Sequence, residues 1–370
     1  MAGLEEKLCP VCFQEAMEHG ECRNCGYHAE ESSAVKDYLA PFTILKEKYL
    51  LGKSLGQGGF GITYLAENMQ SGLRCCIKEY FPSGLLQGRT PDGALILADE
   101  ENRPEYEEGK QQFIEEACAL QELRENISVV DILDFFEENG TAYFAMELIE
   151  GGNLRVFRKN HNPKQTLKMA LQMLFLLGSS LAEVHRFGMI HGDISPENIL
   201  ITQDGEIKLI DFGAARSFRQ GSDNKERKIY LKPNYAPYEQ YTQKPCQGPW
   251  TDIYALAATF YFIVSGRKML DALSRAKGAS YPPLHELCPA VSRQLSDVID
   301  KALAFDYHDR YRRMLDFLDA LEQVVRPEDY DIDLGALMPK SKASKQAEIH
   351  VETSDDSEKM CQVEEQNMPE

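Results

Sequence analysis

The chain has 370 residues, 43% of them hydrophobic and 27% charged, and a formal net charge of −19. That length allows one large or two medium domains with an ample core, and so acidic a balance argues against a broad nucleic-acid or anionic-membrane role. No apolar run is expected to approach the roughly 20 residues a membrane span needs, and the polar stretch Met1 to Lys7 is not a secretory signal.

In chain order, residues 1–30 come first as a cysteine module. Cys9-Pro10-Val11-Cys12 and Cys22-Arg23-Asn24-Cys25 are two CxxC knuckles separated by nine residues. Each knuckle offers two thiolates to one tetrahedral metal, and four thiolates close the site. The pattern resembles a zinc ribbon with structural Zn2+ on Cys9, Cys12, Cys22 and Cys25. Disulfide pairing is the competing reading, and the scattered placement of the other six cysteines suits a reduced, cytoplasmic protein instead. His19 and His28 lie nearby but are not needed as ligands. Only Lys7 and Arg23 are basic in this module, so it reads as a protein-docking element and not a nucleic-acid reader.

Residues 31–45 form a linker, and 46–326 a second domain. Tyr49–Leu55, Ile62–Ala66 and Leu73–Lys78 alternate as strands, and Thr141–Leu148 is a fourth. A long insert, Glu79–Gln112, contains a hairpin, Leu85–Arg89 and Ala94–Ala98, around Thr90-Pro91-Asp92-Gly93. Helical periodicity marks Gln111–Arg124, Leu167–Phe187, Asp252–Gly266, Ser292–Ala304 and Arg313–Val325. Residues 327–370 hold twelve acidic and four basic side chains. Such a tail cannot bury enough apolar surface to fold alone, and disorder is expected.

Chemistry concentrates in three places. Gly56-Gln57-Gly58-Gly59-Phe60-Gly61 is a glycine loop whose backbone can approach phosphates, with Phe60 as a shield. Alone it is a weak signal. His191-Gly192-Asp193-Ile194-Ser195-Pro196-Glu197-Asn198 follows, and then Asp211-Phe212-Gly213. One carboxylate to orient a hydroxyl, with a second carboxylate and an amide for metal ions, is what phosphoryl transfer from a Mg-nucleotide requires.

Glycine loop, Lys78, catalytic loop and Asp-Phe-Gly, in that order, resemble the eukaryotic-type protein kinases. With the ribbon in front, the chain resembles the bacterial eukaryotic-like serine/threonine kinases. The resemblance implies an α+β, two-lobed protein-kinase-like fold, with ATP and Mg2+ as nucleotide and metal. It assigns Lys78 to the phosphates and Glu116 as its helix partner, with Glu115 the alternative. Asp193 is the hydroxyl-orienting base, and Asn198 and Asp211 are the Mg ligands. Gly56, Gly58, Gly59, Phe60 and Gly61 cover the phosphates. Thr63, Cys76 and Leu200 line the adenine site, with Met146 as gatekeeper and Glu147, Leu148 and Ile149 as hinge. Cys76 is either a small core residue or a handle for a covalent probe. Tyr235-Ala236-Pro237-Tyr238-Glu239 resembles the family's APE segment, Arg310 its partner, and Asp252 the buried anchor of the catalytic loop.

Two departures stand out. Gly192 replaces the arginine that pairs with a phosphorylated activation loop, so activity independent of such a phosphate is expected. Ser195 replaces a lysine aimed at the γ-phosphate. Lys232, seven residues before Glu239, is positioned to supply that charge, or is a solvated loop residue. His-Gly-Asp also resembles small-molecule kinases of the aminoglycoside and choline type. A protein Ser/Thr kinase is therefore the main reading. A pseudokinase scaffold binding nucleotide or a partner, and a small-molecule kinase, are the alternatives.

Overall fold

The computed structural model describes residues 7–29, 37–58, 61–123, 126, 128–160, 163–202, 204–212, 216–217, 231–242 and 246–329. Most of the acidic tail, Gly59, Phe60 and Gly213 lie outside the described residues. The described residues form two compact units, one of 7–123 with Asp131–Leu148, the other of 126–130 with 149–329.

The first unit opens with a small hairpin, β1 (Met17–Glu18) and β2 (Glu21–Cys22). His19 and Gly20 at its tip both have positive φ, 51° and 82°, the handedness that matches strand twist in two-residue turns. Six antiparallel strands follow in one sheet: β3 (Ile44–Leu45), β4 (Tyr49–Gln57), β5 (Gly61–Asn68) and β6 (Leu73–Tyr80). The last two, β9 (Ile132–Glu138) and β10 (Thr141–Glu147), enter after an insert, giving the order β3-β4-β5-β6-β10-β9. Alternate residues fill one face. Leu45, Tyr49, Leu51, Tyr64, Cys75, Ile77, Phe136, Tyr143 and Ala145 pack there as a buried core. On the opposite face the register aligns Thr63 with Lys78 and Lys78 with Phe144.

The insert carries the expected hairpin as β7 (Leu86–Arg89) and β8 (Leu95–Leu97), followed by the helix α1 (Arg103–Glu122). The helix begins eight residues before the expected Gln111. Pro104 sits in its first turn, where no backbone N–H is required. Before Phe113 the helix has one buried apolar side chain, Tyr106, so its start shows little apolar period.

The second unit contains β11 (Gly151–Asn153), α2 (Leu154–Asn160), α3 (Pro163–Arg186), β12 (Met189–Ile190), β13 (Ile199–Thr202), β14 (Ile207–Leu209) and β15 (Arg216–Ser217). It continues through α4 (Pro249–Ser265), α5 (Ala272–Ala276), α6 (Leu284–Leu287), α7 (Arg293–Ala302) and α8 (Met314–Glu322). Its centre is α4, buried all round from Thr251 to Val264 and packed on α3, α7 and α8. Gly266 at φ 75° ends it, a left-handed position that suits glycine. Within α3, Thr166–Arg186 is long and apolar enough by composition to cross a membrane, against the expectation of no such run, and 56% of its most apolar window is buried. A helix enclosed by a helical core needs that same composition.

Candidate active site

In the β-rich unit, β4 and β5 bracket the glycine loop. Gly58 N–H donates to Gly61 O at 2.8 Å. The glycines differ in what requires them. A Cβ on Gly61 would lie 2.5 Å from Glu79 O, so close strand approach demands glycine there. A Cβ on Gly56 would meet nothing within 4 Å, and on Gly58 only Gly61 O at 3.9 Å. Packing does not call for those two glycines, and their bare backbone leaves open space of the kind a phosphate chain needs.

Lys78, on β6, is 9% exposed. Its Nζ lies 3.8 Å from Glu116 Oε1 and 5.4 Å from the centre of the Phe144 ring. Glu115 is exposed, so the Lys78 partner in α1 is Glu116. Thr63 is half-buried beside Lys78 and Cys76 is buried opposite Leu65. Burial pushes the Cys76 thiol up to about 12, which disfavours the thiolate that a covalent probe needs and favours the small packing residue of the two readings. Met146 and Glu147 end β10. Glu147 N–H donates to Asp131 O at 3.0 Å, and Asp131 N–H donates back to Glu147 Oε1 at 3.0 Å. Leu148 closes this unit and Ile149 opens the other.

In the helical unit, the segment between β12 and β13 is held from below by α4. Asp252 is fully buried. Its carboxylate accepts from His191 N and Gly192 N, both at 2.8 Å, and from His185 Nε2 at 2.8 Å. Those donors, with His185 and His191 beside it, hold the Asp252 carboxyl below the usual range against its burial. Gly192 has φ 76°, and its carbonyl accepts from Gln240 Nε2 at 2.7 Å. His185 and Gln240 belong to this frame as well; both stand outside the sequence motifs and meet the loop only through folding.

On that frame Asn198 Nδ2 donates to Asp193 O at 2.9 Å and to Asp193 Oδ2 at 2.8 Å. With the Asn198 NH2 engaged by Asp193, its amide oxygen is a hard donor of the kind magnesium prefers. Lys232 Nζ reaches the same Asp193 Oδ2 at 2.9 Å and donates to Ser195 Oγ at 2.9 Å. Burial pushes the Asp193 carboxyl up, with the Lys232 ammonium opposing. Asp211 is exposed and held at φ 65°, a conformation uncommon outside glycine. Phe212 is buried and its ring lies 4.3 Å from that of His191. Leu200 is half-buried in β13, between the inward Ile199 and Ile201.

The protein kinase domain profile matches residues 49–318. The chain belongs to the protein kinase family. It is 31% identical over 286 residues to serine/threonine-protein kinase F of Synechocystis sp., covering 72% of this chain and 53% of that protein. It is 29% identical over 289 residues to serine/threonine-protein kinase PknA of Nostoc sp., covering 75% and 48%. The solved structure of the apo form of PpkA-294 is similar at 34% identity and a TM-score of 0.64, covering 77% of this chain and all of that one. The kinase thus spans about half the length of the curated relatives it matches.

Two further features of the kinase follow from its packing. Arg310 and Glu239 form a two-toothed pair, Nη1 to Oε1 at 2.7 Å and Nη2 to Oε2 at 3.1 Å. The remaining guanidinium donors go to the carbonyls of Ala304, Phe305 and Trp250. Both residues are buried, and every charge is answered. At the N-terminus, the Sγ atoms of Cys9, Cys12, Cys22 and Cys25 all lie within 4.8 Å of one another. Cys9–Cys25 and Cys12–Cys22 are each 3.6 Å apart, and none is in a disulfide. Four thiolates about 2.3 Å from one zinc lie about 3.8 Å from each other, so the donor set fits a closed tetrahedral site. The cluster is seated on β4. Lys53 N–H donates to Pro10 O at 2.9 Å, where the β4–β5 register shifts between Leu51 and Ser54. A Cβ on Gly52 would overlap that same carbonyl oxygen and lie 2.8 Å from Phe13 Cζ.

Proposed function

We propose that this kinase transfers the γ-phosphoryl group of ATP, with Mg2+, to Ser or Thr hydroxyls of protein substrates in the cytoplasm. The observation that carries the reading is the Asp193 carboxylate, bonded at once by Asn198 Nδ2 and Lys232 Nζ. A carboxylate so fixed can orient an incoming hydroxyl, and its raised basicity helps it accept the proton.

Bound magnesium would offset charge on the phosphate oxygens, and Asn198 Oδ1 with the Asp211 carboxylate are the groups that would hold it. Lys78, steadied by Glu116, holds phosphates. Backbone N–H groups around Gly56 and Gly58 meet the phosphate chain, and the Glu147 carbonyl with Leu148 or Ile149 meets the adenine edge. Met146, Thr63, Cys76 and Leu200 shape its surroundings. Lys232 supplies the positive charge that Ser195 lacks, close to where negative charge develops. Protein Ser/Thr substrates are supported by the names of the relatives and by the Glu239–Arg310 pair, which stiffens the segment after the activation region. Zn2+ on the four cysteines gives the ribbon its fold, and the ribbon serves as a docking module.

The test is phosphate transfer from labelled ATP with Mg2+ to a generic acceptor protein, and separately to an aminoglycoside and to choline. Label on protein Ser or Thr that is lost in Asp193→Asn supports the reading. Label on a small molecule alone moves the chain to the other kinase class. Nucleotide binding without transfer makes it a pseudokinase.

A further inference from the structure

The insert and the first half of α1 pose a question the active site does not answer: what holds α1 at the distance where Glu116 reaches Lys78. Tyr106, Gly109, Phe113 and Glu116 succeed one another at three- and four-residue steps, so they share one face of α1. Lys78 and Tyr80 are two residues apart on β6 and share one face of the strand. The two faces meet at two points. One is Lys78 with Glu116. The other is Tyr80 with Gly109, where a Cβ on residue 109 would overlap Tyr80 Oη and lie 3.0 Å from Cζ.

Around that second point the packing is aromatic and fully engaged. The Tyr80 ring lies 5.4 Å from Tyr106 and 5.7 Å from Phe113, and Phe113 stacks on Phe144 at 4.8 Å. Tyr80 is 4% exposed, so its ring has no room to retreat. The insert braces β6 from the opposite face of the sheet. Arg89 pairs with the fully buried Glu79 and donates to Asp37 O at 2.7 Å and Gly93 O at 2.9 Å. Glu79 also accepts from Tyr64 and Tyr143 hydroxyls at 3.0 and 2.7 Å. Leu95 N–H donates to Asn139 O at 3.0 Å, and Tyr106 Oη donates to the adjacent Gly140 O at 2.8 Å.

We propose that Gly109 and Tyr80 are positioning residues: their close approach sets the spacing between α1 and β6 and thereby brings Glu116 to Lys78. On this account the chain's own packing at the insert end of α1 does the placing. The argument rests on the proposed phosphoryl transfer only for its kinetic readout.

Glycine in a helix interior is a poor choice on propensity alone, and alanine is the stronger helix former. A purely structural role has Gly109→Ala set that propensity gain against overpacking at Tyr80, with kcat of the folded protein kept. The positioning role has kcat of the folded protein falling by about ten- to a hundredfold, since a displacement of about 1 Å at a catalytic group has that effect, whatever the melting temperature does. Tyr80→Phe removes the one atom that the new methyl strikes first. The double variant Gly109→Ala/Tyr80→Phe should then recover most of the lost kcat, a coupling that distant or independent sites do not show. Hydrogen exchange of the α1 amides on the same samples needs no turnover. It should quicken in Gly109→Ala and return towards wild type in the double variant. Unchanged exchange in Gly109→Ala overturns the proposal whether or not the chain turns over substrate. Wild-type transfer that persists unaltered in Gly109→Ala overturns it too. Absence of wild-type transfer, with exchange behaving as described, sinks the kinase reading and leaves the Gly109–Tyr80 spacer standing.

Discussion

Lys232 and Ser195 stand 37 residues apart in sequence and are joined by a 2.9 Å bond from Nζ to Oγ, with the Asp193 carboxylate 2.9 Å from the same nitrogen. A cation thus occupies the neighbourhood of the catalytic loop although the loop itself contributes a serine there. The Lys232 side chain is about one-third exposed, so little stability hangs on the pair.

That geometry separates catalysis from stability. Lys232→Met keeps the aliphatic stem and removes the charge. We expect kcat to fall by about 10²- to 10³-fold, the usual effect of deleting one preorganised donor, with a near-native melting curve. Steady-state kinetics beside a thermal melt decide it. Wild-type kcat in the variant would make Lys232 a bystander.

Arg310→Ala acts the other way. It leaves Glu239, 4% exposed, with a buried charge facing the Thr251 hydroxyl at 3.2 Å. Loss of one partner of a buried pair costs about 3–5 kcal/mol. Urea denaturation should show the midpoint drop by that free energy divided by the slope, with the slope itself constant. A midpoint within experimental error of wild type would mean the pair is not under load.

Metal removal should affect the N-terminal module. Protein as purified is expected to hold one zinc per chain by atomic absorption. A strong chelator should strip it and open the segment 7–29 to protease, since so small a module has no core of its own. Cleavage at equal rates with and without zinc would show that the ribbon folds on contacts other than metal.

Acid should loosen the β-rich unit through Asp134. Its carboxylate is 1% exposed, takes Lys46 and Lys48 at 3.0 Å each, and accepts from Tyr49 Oη at 3.0 Å. Those partners hold its carboxyl below the usual range against burial. A depressed carboxylate adds stability that is full above the unfolded value of about 3.9 and lost as pH falls through the lower folded one. Stability of wild type should thus decline more steeply below about pH 4 than that of Asp134→Asn, which is weaker at neutral pH and has less to lose. Parallel pH profiles for the two would remove Asp134 from the account.

Much of this protein could be read along the chain. The knuckles of the ribbon, the offsets from Asp193 to Asn198 and Asp211, and the strand bearing Lys78 are local patterns, and local chemistry at fixed spacing survives in one dimension. The start of α1 is not legible, because Tyr106 is the one buried apolar side chain before Phe113, and α4 begins at Pro249 instead of Asp252 for want of any signal but a proline. The choice of Glu116 over Glu115 turned on which side of α1 meets the sheet. Lys232 meeting Ser195, Gln240 meeting Gly192, and Gly109 meeting Tyr80 were decided by tertiary packing alone. Each pairs residues whose separation carries no periodicity, and only a folded core, with its fixed volumes and saturated hydrogen bonds, dictates which distant atoms share one place.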